Sequence, residues 1–231
     1  MEPPPSPATR LGLRLGVGAA ILVAAAWLFG AIAEDVVTGD RITLLDASLA
    51  EWLHGHATPA VTRWMLLFTD LHSTVAVALY AAVAGLWLAW RRRWRWLATT
   101  AICIGGGLAL NVVMKLAFRR ARPAFDEPLL TLSTYSFPSG HVLASTLLYG
   151  LCVAWVFVRT PRLGGRLLAV AGALVAIALV AFTRMYLGVH YLSDVGAAFF
   201  EGIAWLALCL IAIDRFWRGG RDATPNGRGA S

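Results

Sequence analysis

Apolar residues in this chain come in long unbroken runs, not in alternation. Six runs, at about 15–33, 73–90, 97–117, 142–158, 166–183 and 195–213, read as membrane-crossing helices. Such a helix needs about 20 mostly apolar residues. None of the runs has the period of two expected of a half-buried strand. The pattern predicts an all-α polytopic membrane protein with six transmembrane helices in a bundle. Residues 42–54 (ITLLDASLAEWLH) mix polar and apolar positions. They predict an extracytoplasmic amphipathic helix lying on the membrane surface between the first two spans. The chain then divides into a tail, 1–14, a membrane domain, 15–217, and a second tail, 218–231. That second tail is rich in Gly, Pro and Asn, and disorder is expected there.

The first run has a second reading. Arg10 and Arg14 precede it, and Ala31-Ile32-Ala33 resembles a signal-peptidase site. Its apolar core exceeds the roughly 7–15 residues of a cleaved signal, so it is read as a retained span.

Composition agrees with the membrane class. The chain of 231 residues is 58% hydrophobic and 14% charged. Its mean hydropathy is +0.67. A disordered chain or a soluble enzyme could not carry so much apolar surface. The net charge of +7 would suggest nucleic acid in a soluble protein. Here the charges follow membrane topology, and no nucleic-acid partner is expected.

With the N-terminus in the cytoplasm, thirteen of the twenty basic residues fall inside: Arg10, Arg14, Arg91, Arg92, Arg93, Arg95, Arg159, Arg162, Arg166, Arg215, Arg218, Arg221 and Arg228. Seven fall outside: Arg41, Arg63, Lys115, Arg119, Arg120, Arg122 and Arg184. Both termini are expected in the cytoplasm. The preference for Arg over Lys and for Ala points to a GC-rich bacterium, and the expected location is its inner membrane. Cys103, Cys152 and Cys209 each lie inside an apolar run and are expected to be buried, inert thiols. His54 and His56 have no further ligands nearby, and no metal site is expected.

The basic residues placed outside are unusual, because five of the seven cluster at 115–122 and at 184. Three patches there carry chemistry. In the first, Lys115 ends the third span, Asn111 lies one turn earlier, and Arg119, Arg120 and Arg122-Pro123 follow. Arg forks grip phosphate oxygens bidentately, and Lys acts as a point charge. Pro123 is expected to stop the helix.

The second patch is Phe137-Pro138-Ser139-Gly140-His141, with Ser139 as a natural N-cap. A helix N-terminus with free N–H groups binds anions, and glycine allows close approach. The third runs from Thr183-Arg184 to His190 and Asp194. On a helix, His190 and Asp194 would share a face, and the carboxylate would hold the imidazole in one tautomer. Glu201 lies on the same face about 10 Å deeper by helix rise. An intramembrane carboxylate is costly, so a role supporting the site is expected for it.

These three patches resemble the type 2 phosphatidic acid phosphatase (PAP2) superfamily of lipid phosphatases. The family pattern is Lys-x6-Arg-Pro, Pro-Ser-Gly-His and Ser-Arg-x5-His-x3-Asp. The chain carries Lys115 to Arg122-Pro123, Pro138-Ser139-Gly140-His141, and Arg184 through His190 to Asp194. It departs at Thr183, where Ser is usual but a hydroxyl is kept, and at Ala198, where Gly is common.

The resemblance implies roles by position. Lys115, Arg122 and Arg184 would hold the phosphate with Ser139 and the Gly140 N–H. His190 would attack phosphorus, His141 would protonate the leaving oxygen and then activate water, and Asp194 would orient His190. Arg120, Asn111 and Glu201 would support them. No metal or other cofactor is expected.

The reading is a lipid phosphatase acting at the outer leaflet, where the partners are the bilayer and a lipid phosphate. Candidate substrates are undecaprenyl diphosphate, phosphatidylglycerophosphate and phosphatidic acid. A lipid phosphotransferase using the same site is the alternative. A transporter would place its ionisable groups near the bilayer midplane, and here only Glu201 lies so deep.

Overall fold

The structure is a computed structural model and describes residues 6–222. Among them the chain forms nine α-helices, one π-helical turn and no strand. In order these are α1 (Pro7–Thr38), α2 (Arg41–Gly55), α3 (Pro59–Leu71), α4 (Thr74–Trp90), α5 (Trp94–Ala101), the π turn (Ile102–Gly106), α6 (Gly107–Phe118), α7 (Gly140–Arg159), α8 (Leu163–Tyr186) and α9 (Leu192–Asp222). Among the described residues, six helical stretches are long and apolar enough to cross a membrane. Each contains one of the six expected runs.

Two ends differ from expectation. The tail at 1–14 is helical from Pro7 onward, and residues 1–5 lie outside the described residues. Helix α9 continues to Asp222, so 218–222 are helical where disorder was expected. No proline interrupts the backbone ladder before Pro225. The remainder, 223–231, lies outside the described residues.

Helix α2 falls where the amphipathic helix at 42–54 was expected. Helix α3 was not anticipated, although Pro59 stands at its first turn, where a missing N–H costs nothing. It meets α4 at His72-Ser73. The Ser73 hydroxyl accepts from Ala76 N at 3.1 Å and caps α4. The His72 ring pins the bend, with Nδ1 2.9 Å from Phe68 O and Nε2 2.8 Å from Tyr149 Oη on α7.

Helix α7 forms the centre, with Val142, Leu143 and Leu147 buried against α4, α8 and α9. Helix α1 stands outside, packed along α9. Cys103 and Cys209 are buried as expected, but Cys152 is exposed on the outer side of α7. A thiol is apolar enough to face lipid there.

At the π turn the Cys103 carbonyl accepts from Gly107 N, and Trp205 Nε1 also donates to it at 3.0 Å. This close approach depends on glycine. A Cβ at Gly107 would lie 2.3 Å from Leu147 Cδ1 and 3.1 Å from Trp205 Cδ1, whereas one at Gly172 meets nothing within 4 Å. Gly107→Val is therefore expected to destabilise the protein by about 1–3 kcal/mol through overpacking. Gly172→Val should cost far less, and thermal melts in detergent compare the two. Equal melting temperatures for the two variants would contradict the close packing at Gly107.

Candidate active site

The C-terminal ends of α6 and α8 meet the N-terminal ends of α7 and α9 at one end of the bundle. The 119–139 loop lies over them. Helix α6 ends because Arg119 adopts a left-handed conformation (φ +48°), with its N–H donating to Lys115 O. The stop is therefore at Phe118, several residues before Pro123, which had been expected to impose it.

His190 and Asp194 anchor the site. They do not share a helical turn as the spacing suggested, because α9 begins at Leu192 and His190 precedes it. They still meet: His190 Nδ1 lies 3.4 Å from Asp194 Oδ2. Asp194 is fully buried and well supplied with donors. Oδ2 accepts from Tyr191 N at 2.9 Å and from the Ser136 hydroxyl. Oδ1 accepts from Arg120 Nη1 at 2.6 Å.

The other ring nitrogen, His190 Nε2, lies 3.2 Å from Arg122 Nη1. An arginine nitrogen only donates, so Nε2 carries the lone pair and Nδ1 the proton. Burial, reinforced by the Arg184 and Arg122 cations, pulls the His190 pKa down to about 3 against the opposing pull of Asp194. The ring is neutral, with its lone pair aimed into the cationic cluster.

The cations differ in how fully they are satisfied. Arg122 donates to Thr134 O, Thr134 Oγ1, Tyr135 O and Val189 O at 2.5–3.1 Å. Its remaining N–H faces His190 Nε2. Burial lowers its pKa, partly offset by Asp194. Lys115 Nζ donates to Tyr135 O at 2.7 Å and to Ser136 O at 3.3 Å.

Arg184 is 1% exposed, and its Nη1 donates to Thr69 Oγ1 at 2.8 Å. Its Nε and Nη2 are buried with no partner, and so is the Ser139 hydroxyl. Ser139 holds the N-cap position of α7 as expected, yet its side chain makes no capping bond. A guanidinium with two idle donors, a free hydroxyl and an uncapped helix N-terminus form a receptor for an oxyanion.

Gly140 lets that N-terminus approach α6: a Cβ there would stand 3.2 Å from Asn111 Oδ1 and 3.3 Å from Thr74 Cγ2. His141 follows in the first turn of α7, within electrostatic reach of Arg184, His190, Arg122 and Lys115. Beneath it, Asn111 Nδ2 donates to Pro138 O at 3.4 Å and to Glu201 Oε2 at 3.3 Å. Glu201 Oε1 is buried without a partner.

All eleven site residues expected from the sequence converge here. Four contributors were not anticipated: Asp46 on α2, Thr69 on α3, Ser136 in the loop and Ser193 on α9. Asp46 had a signal, because it shares the buried stripe of α2 with Ala50 and Leu53. A carboxylate on the inward stripe of a surface helix calls for a partner. His54 and His56 take part in ring packing, on Phe125 and Trp52 respectively.

Residues 96–218 match the PAP2 superfamily. The chain is 32% identical over 116 residues to phosphatidylglycerophosphatase B of Bacillus subtilis (strain 168), across 49% of this chain and 56% of that protein. It is 26% identical over 197 residues to probable lipid phosphate phosphatase beta of Arabidopsis thaliana, across 75% of this chain and 92% of that one. The crystal structure of a transmembrane PAP2-type phosphatidylglycerolphosphate phosphatase from Bacillus subtilis superposes with a TM-score of 0.73 at 24% identity, covering 90% of this chain and 98% of that chain. Aquifex aeolicus LpxE superposes with a TM-score of 0.56 at 21% identity, covering 72% and 94%. At these identities the two structures speak for the fold.

Proposed function

Because the chain belongs to the PAP2 superfamily, we propose that it is a lipid phosphatase that works through a phosphohistidine at the extracytoplasmic face of a bacterial inner membrane. The observation that carries this is the idle donor set of Arg184 Nε, Arg184 Nη2 and Ser139 Oγ beside the lone pair of His190. Such buried donors are costly unless an anion completes them.

The geometry supports a two-step transfer. His190 Nε2 attacks phosphorus, forming an N–P bond as the P–O bond to the lipid breaks. His141 gives its proton to the departing oxygen. Water then attacks phosphorus, loses a proton to His141, and the N–P bond breaks to release inorganic phosphate. Throughout, Arg184, Lys115 and the N-terminus of α7 hold the non-bridging oxygens, where charge accumulates. Arg122 would exchange its contact with Nε2 for one with the phosphoryl group. Asp194 keeps the proton on Nδ1 and stabilises the positive ring of the intermediate.

The substrate we favour is phosphatidylglycerophosphate, because the Bacillus relative is named for it. Phosphatidic acid and undecaprenyl diphosphate are the other candidates. The Lys/Arg distribution supports cytoplasmic termini and a site on the opposite side.

The test is a phosphate-release panel over these three lipids with purified protein, repeated in EDTA. Release from at least one lipid, unchanged by chelator, is expected, since three cationic side chains neutralise the phosphate. Loss of activity in EDTA would overturn the metal-free mechanism. Release from none of the three would overturn the substrate class.

A further inference from the structure

We propose that Asp46, on surface helix α2, is a positioning residue for the reaction: acting through Arg120, it sets how much negative charge Asp194 presents to His190. This rests on the phosphohistidine reading above.

Asp46 is 1% exposed, and both its oxygens are engaged. Oδ1 accepts from Ser193 N at 2.9 Å. Oδ2 accepts from the Ser193 hydroxyl and, at 2.8 Å, from Arg120 Nη2. Docking α2 onto α9 would need only the Ser193 bonds. The third bond joins Asp46 to a cation that is already committed, because Arg120 Nη1 is 2.6 Å from Ser193 Oγ and 2.6 Å from Asp194 Oδ1. One guanidinium therefore bridges two buried carboxylates, and one of these faces His190.

The charges explain why two are needed. Burial alone would weaken the Arg120 cation, but Asp194 and Asp46 together outweigh that and raise its pKa. Its face is covered by the Tyr191 ring at 4.4 Å, so solvent does little to share the load. With Asp46 present, Arg120 is largely neutralised from the α2 side. Asp194 then keeps its charge for the imidazole. Without Asp46, the whole cation bears on Asp194. Its carboxylate would be drawn toward Arg120 and away from Nδ1, where the 3.4 Å contact is already long. The imidazolium formed during phosphoryl transfer would lose its counter-charge.

The experiment measures kcat and KM for Asp46→Asn, Arg120→Gln and the double variant, on the panel lipid turned over fastest. Asp46→Asn should lower kcat about ten- to hundredfold with KM within about twofold, because no phosphate ligand is touched. The double variant should recover, with kcat at least about tenfold above Asp46→Asn, because the unopposed cation is gone. A merely structural role would not give recovery when another contact is removed.

A double variant no better than the single overturns the proposal, as does Asp46→Asn with kcat within twofold of the unaltered protein. Should Asp46→Asn fail to fold, the double variant carries the test alone: kcat within about tenfold of the unaltered protein supports the inference, and a greater loss sinks it. His190→Ala, assayed alongside, separates the two levels. An active His190→Ala removes the phosphohistidine reading itself, whereas an inactive one leaves the Asp46 result to be judged by itself.

Discussion

His190→Ala is expected to reduce phosphate release to background, a loss on the order of 10^4–10^6-fold in kcat, the scale seen when a nucleophile acting as part of a unit is removed. No neighbour can replace it. Asp194 is saturated by donors, and the Ser139 hydroxyl has no partner to take its proton. The binding site itself should survive, so His190→Ala should still be stabilised against heat by inorganic phosphate. His141→Ala should behave differently. It leaves the nucleophile in place but removes the group that activates water, so labelled phosphate from a substrate with a good leaving group should stay on the protein. Because burial holds the His190 pKa at about 3, its lone pair is available at every pH from weakly acidic upward. Acidification from about pH 8 to pH 5 should therefore cause no loss of activity through this ring. Label retained by His190→Ala, or turnover near the unaltered rate, would refute the assignment of the nucleophile.

The two halves of this molecule were not equally legible in the sequence. Long apolar runs announce themselves, because a spanning helix must satisfy its own backbone and present apolar side chains both to lipid and to its neighbours. That is why α4 to α9 lie where the runs are. Helix α3 escaped because its apolar positions are interrupted by Thr62, Arg63, Thr69 and Asp70. Its purpose is tertiary, to bring Thr69 under Arg184, and no local pattern reports that. The candidate site was legible because its residues are concentrated in three short segments with fixed internal spacing.

Asp46 lies about 150 positions from the pair it supports, a separation that local reading does not cross. Even where the grouped residues do lie together in the structure, their states were not legible. Spacing suggested that His190 and Asp194 stack on a helix, yet the ring stands before α9 and the carboxylate reaches back past its N-terminus. The family resemblance likewise gave Arg122 and Arg184 equal parts. In the structure Arg122 is tied to loop carbonyls, and Arg184 alone keeps two donors idle.

That inequality carries the second large prediction. Arg184→Gln is expected to lower kcat/KM by about 10^3-fold, the cost of losing preorganised donors where charge develops in the transition state. Arg184→Lys should recover no more than about tenfold of this. It restores the charge but not the planar fork, and an ammonium on a shorter reach cannot engage Thr69 and two phosphate oxygens together. The same residue should act in the opposite sense on stability. In the substrate-free protein Arg184 is buried with Nε and Nη2 unpartnered, an arrangement that costs folding energy. Arg184→Gln should therefore melt at or above the temperature of the unaltered protein while being nearly inactive. Inorganic phosphate should raise the melting temperature of the unaltered protein and leave that of Arg184→Gln where it is. A variant that is destabilised, yet still responds to phosphate, would mean that Arg184 serves the fold and that the oxyanion is held elsewhere. A stable, inactive variant blind to phosphate identifies the idle donors as the substrate's place, because only an anion bound there supplies the partners the folded chain leaves out.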